Sequence, residues 1–394
     1  MNHETREPGR LSRRGLLRTI GATGVAALAP RFATSQSAAP PAAAPPSTIS
    51  TPPRDFSPGA PVTYPDPDLV TVDPAFNGLR LGNTPIQRLW TGALWSEGPA
   101  WSSQGRYLVW SDIPNNRQLR WLEDDGRVTV FRSPSNNSNG NSFDFEGRQL
   151  SCEHLLRRVV RYENDGSVTV IADAYNGTPL NSPNDVVPHP DGSYWFTDPP
   201  FGGQLYEGAP DAAGGPSNPD GRLQSRVGQP AGVGMQKRAL PTNVYRVDPN
   251  GRVTIALDAD SLPGPPNGLA FSPDYKKLYV VSGGNLHVGD LGANGRITGA
   301  KLFATLTVDG VSCRTDGVRA DVFGNLWCSS NAGLNLGYSG VTVWNAAGAL
   351  LGRIRLPEVC ANVAFGGPKR NRLFMAASQS LYAVYVNAQG AAPG

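Results

Sequence analysis

The sequence predicts an all-β protein, a six-bladed β-propeller with a long insertion loop in its third blade. The first observation is a repeat. Glu97, Asn139, Asn184, Asn267, Asp316 and Asn362 each stand eight residues before a turn position: Gly105, Gly147, Gly192, Tyr275, Gly324 and Arg370. The second is a strand-like run after each turn: YLVWS, GRQLSC, GSYWFT, KKLYVV, GNLWCS and NRLFMA. The third is the period. Successive polar positions lie 42, 45, 83, 49 and 46 residues apart, and a period of roughly 40–50 residues with four strands per unit is the mark of a propeller blade.

The first unit shows how a blade is read. Residues 98–103, 107–111, 117–122 and 127–132 supply four strands, with Asp125-Gly126 joining the last two. Asp-Gly is a short-hairpin signal because a two-residue turn of this kind needs positive φ at both positions. The same signal recurs at Asp165-Gly166, Asn250-Gly251 and Asn294-Gly295. The 83-residue spacing holds an ordinary unit plus residues 202–241, rich in Gly, Pro, Ala and Asn. A loop that long in a compact domain is usually functional or disordered, and it is read as a cover over one mouth of the channel, with a floppy surface insertion as the alternative. The sixth unit ends with SLYAVYV at 380–386, without a fourth strand. Residues 85–91 (PIQRLWT) are expected to supply it, closing the ring and removing two sheet edges.

The ends lie outside the repeat. Residues 1–37 read as an export signal, with twin arginines at Arg13 and Arg14 and a weakly apolar stretch too short to span a bilayer. The twin-arginine export machinery is therefore an expected partner, and the destination is the periplasm or the exterior. Residues 38–74 read as a Pro/Ala-rich extended linker, and the propeller occupies 75–390. No membrane span is expected in the mature chain. The net charge of +3, with no basic cluster beyond the N-terminus, does not call for nucleic acid. Of four cysteines, Cys152 and Cys328 fall in second strands and read as buried thiols. Cys313 and Cys360 precede axial positions of adjacent blades, where a disulfide is conceivable in an oxidising compartment.

The six polar positions carry the chemistry. A shared register places them at matching starts of the inner strands, at one end of the channel. Glu97, Asn184, Asn267 and Asp316 then offer two carboxylates and two amide oxygens. These hard donors suit one divalent cation, Ca²⁺ first because amide ligands tolerate high coordination number, with Mg²⁺, Mn²⁺ and Zn²⁺ as the other candidates. Two carboxylates balance its charge, and a scaffold gains little from buried charges that nothing compensates. His154 is the one histidine near a motif and reads as a wall of the channel mouth or a substrate contact. Asp198, in FTDPP, reads either as an organiser of the rim or as a turn residue.

Several ordered segments together resemble a known family. They are SEGPAW (96–101), WSDIPNNRQLRW (110–121), SCEH (151–154), NSPNDVV (181–187), GSYWFTDPPFG (192–202), PPNGLAFSPD (265–274) and TDGVRADVFGNLW (315–327). The chain is similar over about residues 75–388 to the senescence marker protein/regucalcin–gluconolactonase family, in its gluconolactonase branch. The resemblance implies a six-bladed propeller with one axial divalent cation. It implies ligands at Glu97, Asn184, Asn267 and Asp316, with Asp316 also the acid/base. Asn184 is a ligand in some members and a substrate contact in others. Two departures stand out: Ser182 lies where some members carry a substrate-binding Arg, and Leu155-Leu156 follow Glu153-His154 where the branch usually has Gly-Asn.

The activity implied is metal-dependent hydrolysis of a lactone such as glucono-1,5-lactone. The cation polarises the carbonyl, water attacks, Asp316 takes the proton, and Asn139 or Asn184 holds ring hydroxyls. No GxSxG motif is present, which disfavours a serine esterase. The alternatives are a phosphotriester hydrolase like the fluorophosphatase members of the family and a non-catalytic ligand-binding propeller.

Overall fold

Six antiparallel sheets, five of four strands and one of five, form the ring in the computed structural model, which describes residues 44–203 and 239–393. Blade one runs outward from the axis as Ser96–Ser102, Tyr107–Asp112, Arg117–Leu122 and Val128–Arg132. These are within two residues of the strands read from the sequence. The inner strands of blades two to six are Ser138–Phe143, Val186–Pro188, Pro266–Phe271, Val318–Ala320 and Cys360–Gly366. The second strands Tyr194–Thr197, Leu326–Ser330 and Arg372–Ala377 are buried at every position. Both faces of each are covered by neighbouring blades, which explains their nearly continuous apolar sequences. Trp110, Trp195 and Trp327 are wholly buried there, and truncating any one to alanine costs about 3–5 kcal/mol.

Gln87–Thr91 is the outer strand of blade six, antiparallel to Ser380–Tyr385 with Gln87 opposite Ala383 and Thr91 opposite Ser380. The ring thus closes as expected, by pairing segments from opposite ends of the chain. The insertion leaves blade three between Tyr194–Thr197 and Val244–Val247. Its roots lie at the end of the channel where Asn184 N–H bonds Thr197 O at 2.9 Å. Residues 204–238 of the predicted cover, and the export signal at 1–37, lie outside the described residues.

Three expectations are corrected. The segment predicted as an extended linker is packed from residue 45 onward. Leu69–Thr71 adds a fifth strand to blade five against Leu350–Arg355. Phe56 stacks edge-on against Tyr382, and Phe76 is buried in the same core. Arg54 bonds Asp66 at 2.7 Å and the Ile86 carbonyl at 2.9 Å. Scattered apolar anchors and one buried ion pair override a composition dominated by Pro and Ala. Second, the Asp-Gly tips are not two-residue turns. Only the glycines take positive φ (69° at Gly126, 86° at Gly166). Gly166 N–H bonds Glu163 O and Glu163 N–H bonds Ser167 O, a turn closed by a left-handed glycine. Third, all four cysteines are free and buried, so Cys313 and Cys360 form no disulfide. Among the described residues no helix is long and apolar enough to cross a membrane.

Candidate active site on the propeller axis

The six repeat residues converge because the inner strands crowd together at one end of the axis. Glycine follows four of them for a steric reason. A Cβ on Gly98 would lie 2.0 Å from the Asn139 carbonyl oxygen, and one on Gly317 would lie 2.0 Å from Asn362 Oδ1. The approach is sealed between blades by Gly140 N–H to Asn184 O at 2.7 Å, Gly268 N–H to Asp316 O at 2.9 Å and Gly317 N–H to Ala361 O at 2.8 Å.

Their side chains form a belt of hydrogen bonds. Asn139 Nδ2 donates to Asn184 Oδ1 at 2.5 Å, and Asn184 Nδ2 donates to Asn267 Oδ1 at 2.5 Å. Asn267 and Glu97 flank Asp316, and hydrogen bonding from them works against the rise that burial imposes on its carboxyl. Asn362 Nδ2 donates to Glu97 Oε2 at 3.0 Å. Its Oδ1 accepts from Val363 N–H at 2.9 Å, which sets the orientation of the amide. Asp316 is placed by Ser329 Oγ, which accepts its N–H at 3.0 Å.

A third carboxylate lies beside the belt. Asp185 is 2% exposed and accepts from Asn362 Nδ2 at 3.2 Å. It follows Asn184 where four other axial residues are followed by glycine, and Gly140 leaves it room: a Cβ there would lie 2.1 Å from Asp185 Oδ1. In the sequence this residue lies within NSPNDVV, and no role was expected of it. A carboxylate in a register held by glycine in four of the other five blades, and by Val363 in the fifth, was the available signal.

Burial dominates the electrostatics. It pushes Glu97 far above the usual carboxylate range, and the charges of Asp316 and Asp185 push it further. Burial and Asp185 likewise raise Asp316 to about 7. Asp185 is raised by burial, opposed by Arg319 and by the Asn362 hydrogen bond. Buried carboxylates this close are stable either protonated or with a compensating cation. Among the described residues no three of His, Cys, Asp and Glu converge to hold a metal ion by themselves. A cation here therefore needs the amide oxygens of Asn184 and Asn267 as well as Glu97 and Asp316. The oxygen-only donor set and its uncompensated carboxylates fit a hard divalent ion.

The remaining predicted residues fall around this belt. His154 is 2% exposed, with Nε2 3.5 Å from Asn139 Nδ2, and lies beneath Gly202 at the root of the insertion. Asn139 Oδ1 is buried with no hydrogen-bond partner among the described residues. Asp198 organises the rim, accepting from the N–H groups of Asn181 and Ser182 at 2.8 and 2.9 Å. Ser182 Oγ donates to Pro199 O at 2.7 Å and accepts from Gly202 N–H at 2.9 Å, so it serves the root of the insertion. Asn267 and Asp316 also line an open cleft of about 690 Å³ over blades four and five.

A closed six-bladed ring with an oxygen-rich carboxylate and amide centre on its axis defines the class: a propeller built to handle a small polar ligand at one mouth. The family model described as SMP-30/Gluconolactonase/LRE-like region matches residues 95–379, and the chain belongs to that family. A gluconolactonase of Zymomonas mobilis is 29% identical over 326 residues, covering 77% of this chain and 81% of that one. The solved structure of a gluconolactonase from Xanthomonas campestris is 32% identical with a TM-score of 0.66, covering 84% of this chain and 99% of that one. A calcium-binding regucalcin from Agrobacterium tumefaciens shares the fold at 21% identity and a TM-score of 0.57, covering 77% and 94% of the two chains.

Proposed function

We propose that the protein hydrolyses a sugar lactone to its hydroxy acid at the axial site, with one divalent cation held by Glu97, Asn184, Asn267 and Asp316. The observation that carries this reading is a pair of carboxylates, Glu97 buried and Asp316 half-buried, set among amide oxygens at an open mouth. The relatives named gluconolactonase supply the reaction class. When bound, the cation supplies a Lewis-acid contact for the lactone carbonyl oxygen. Ca²⁺ is favoured by the two amide donors; regucalcin is similar in fold alone and adds nothing to that choice.

The chain's own residues do the rest. Asp316, at the edge of the cleft, accepts the proton of the attacking water. The water oxygen bonds to the carbonyl carbon, the ring C–O bond breaks, and the ring oxygen leaves as a hydroxyl after taking up a proton. Asn139 Oδ1, without a hydrogen-bond partner among the described residues, accepts from a ring hydroxyl. His154 walls that side of the mouth. Export by the twin-arginine route belongs to the same proposal and rests on Arg13 and Arg14 alone; replacing both by lysine should leave the protein in the cytoplasm.

The test is hydrolysis of glucono-1,5-lactone by chelated protein, by protein with Ca²⁺, Mg²⁺, Mn²⁺ or Zn²⁺ restored, and by Asp316→Ala. Turnover that returns with the cation and is lost by at least about 10²-fold in the variant is expected. Equal turnover in chelator, or none on any lactone while a cation is bound, overturns the reading.

A further inference from the structure

We infer that Arg314 selects lactones that carry an anionic group away from the reacting carbonyl, such as the carboxylate of an aldaric acid lactone. The inference rests on the lactonase reading above and adds the substrate class. Among the described residues lining the cleft, Arg314 and Asp316 are the only charged ones. Asp316 belongs to the axial belt. Arg314 is therefore the one cationic side chain that the described residues present to a bound substrate there.

Arg314 is placed, not loose. Its carbonyl accepts from Asn331 N–H at 2.8 Å, and an isolated bridge ties the two residues together. Its stem lies across Gly284, where a Cβ would meet Arg314 Nε at 2.9 Å and Cβ and Cγ at 3.0 Å. Gly284 thus clears the track along which the side chain runs. The guanidinium has no hydrogen bond or ion pair among the described residues, although most arginines of the ring have a carboxylate or carbonyl partner. An unspent fork of donors beside the reaction centre suits a carboxylate or phosphate oxygen pair. The rest of the wall offers neutral polar groups, Ser312, Asn331 and Asn335, fit for hydroxyls. A neutral sugar lactone leaves the guanidinium fork without an anionic partner.

The experiment uses a matched pair. D-glucaro-1,4-lactone and D-glucono-1,4-lactone share ring and hydroxyls and differ in a carboxylate against a hydroxymethyl group. The wild-type protein is expected to favour the carboxylate lactone in kcat/KM, mainly through KM, with the preference shrinking as salt is raised. Arg314→Gln should reduce the ratio of the two kcat/KM values by about tenfold to a hundredfold, the range of a hydrogen bond to a charged group. Arg314→Lys should retain part of it. A wild-type ratio at or below one, or a ratio unchanged in Arg314→Gln, overturns the inference while leaving the lactonase reading intact. If neither lactone is turned over, the lactonase reading is judged on glucono-1,5-lactone, and calorimetric binding of the two compounds decides the inference: equal affinity, or affinity insensitive to Arg314→Gln, overturns the role of Arg314.

Discussion

Asn362→Leu is the most informative single perturbation of the axial belt. Leucine keeps the branched outline of asparagine and removes every polar atom. Asn362 Nδ2 serves two buried carboxylates, Glu97 at 3.0 Å and Asp185 at 3.2 Å, while Oδ1 accepts from Val363 N–H at 2.9 Å. A hydrogen bond to a charged group contributes about 1.5–3 kcal/mol and a neutral one about 1 kcal/mol. Burial and the neighbouring carboxylates raise Glu97 and so favour its neutral form, which lowers its share towards the neutral figure. Apo protein should therefore lose roughly 3–5 kcal/mol, a large part of the 5–15 kcal/mol that typical domains possess. The assay is guanidinium unfolding in chelator, comparing midpoints at unchanged slope. A loss below about 1 kcal/mol would refute the view that this amide holds the two carboxylates in place.

Other consequences are open to direct measurement. Gly98→Ala places a methyl 2.0 Å from a backbone carbonyl at φ of 51° and should cost roughly 3 kcal/mol or more, whereas Gly166→Ala, at φ of 86° with open space around it, should cost only about 1 kcal/mol; thermal melts of the pair separate clash from dihedral strain, and equal losses would count against axial crowding. Saturating the wild-type protein with its cation at a hundredfold excess over Kd should stabilise it by about 2.7 kcal/mol, and Glu97→Gln should lose most of that gain along with turnover. Asp191 is raised by burial, but the Ser193 hydroxyl and N–H together with His189 and Arg246 outweigh this and hold it well below the usual range. Its contribution to stability is complete above about pH 4 and is lost as pH falls through the lowered folded value. Asp191→Asn should therefore lower the melting temperature at pH 7 and much less at pH 2; a constant difference would argue against that network.

How much of this was legible in the sequence depends on whether the cause is local or circular. Strand runs, tip glycines and the spacing of Glu97, Asn139, Asn184, Asn267, Asp316 and Asn362 are local patterns, so the blade count and the axial register could be read directly. So could ring closure, since a sixth unit lacking a strand and a spare strand ahead of the first unit are complementary facts. The packing of residues 45–74 was not legible, because Phe56, Leu69 and Phe76 look like isolated apolar residues until blades five and six offer surfaces to cover them.

By itself the sequence determined the architecture and which residues face the axis. The tertiary structure alone decided what those residues do to one another. The bond from Asn362 to Glu97 joins positions 265 residues apart, and no local pattern encodes it. The role of Asp185 appears only when Gly140 from the next blade and Asn362 from across the axis enclose it, and the lack of a partner for Arg314 among the described residues only when its surroundings are known. Closing a ring brings six distant strand starts into one small, poorly hydrated space. There burial and repulsion between carboxylates, set by distances across blades, govern the chemistry.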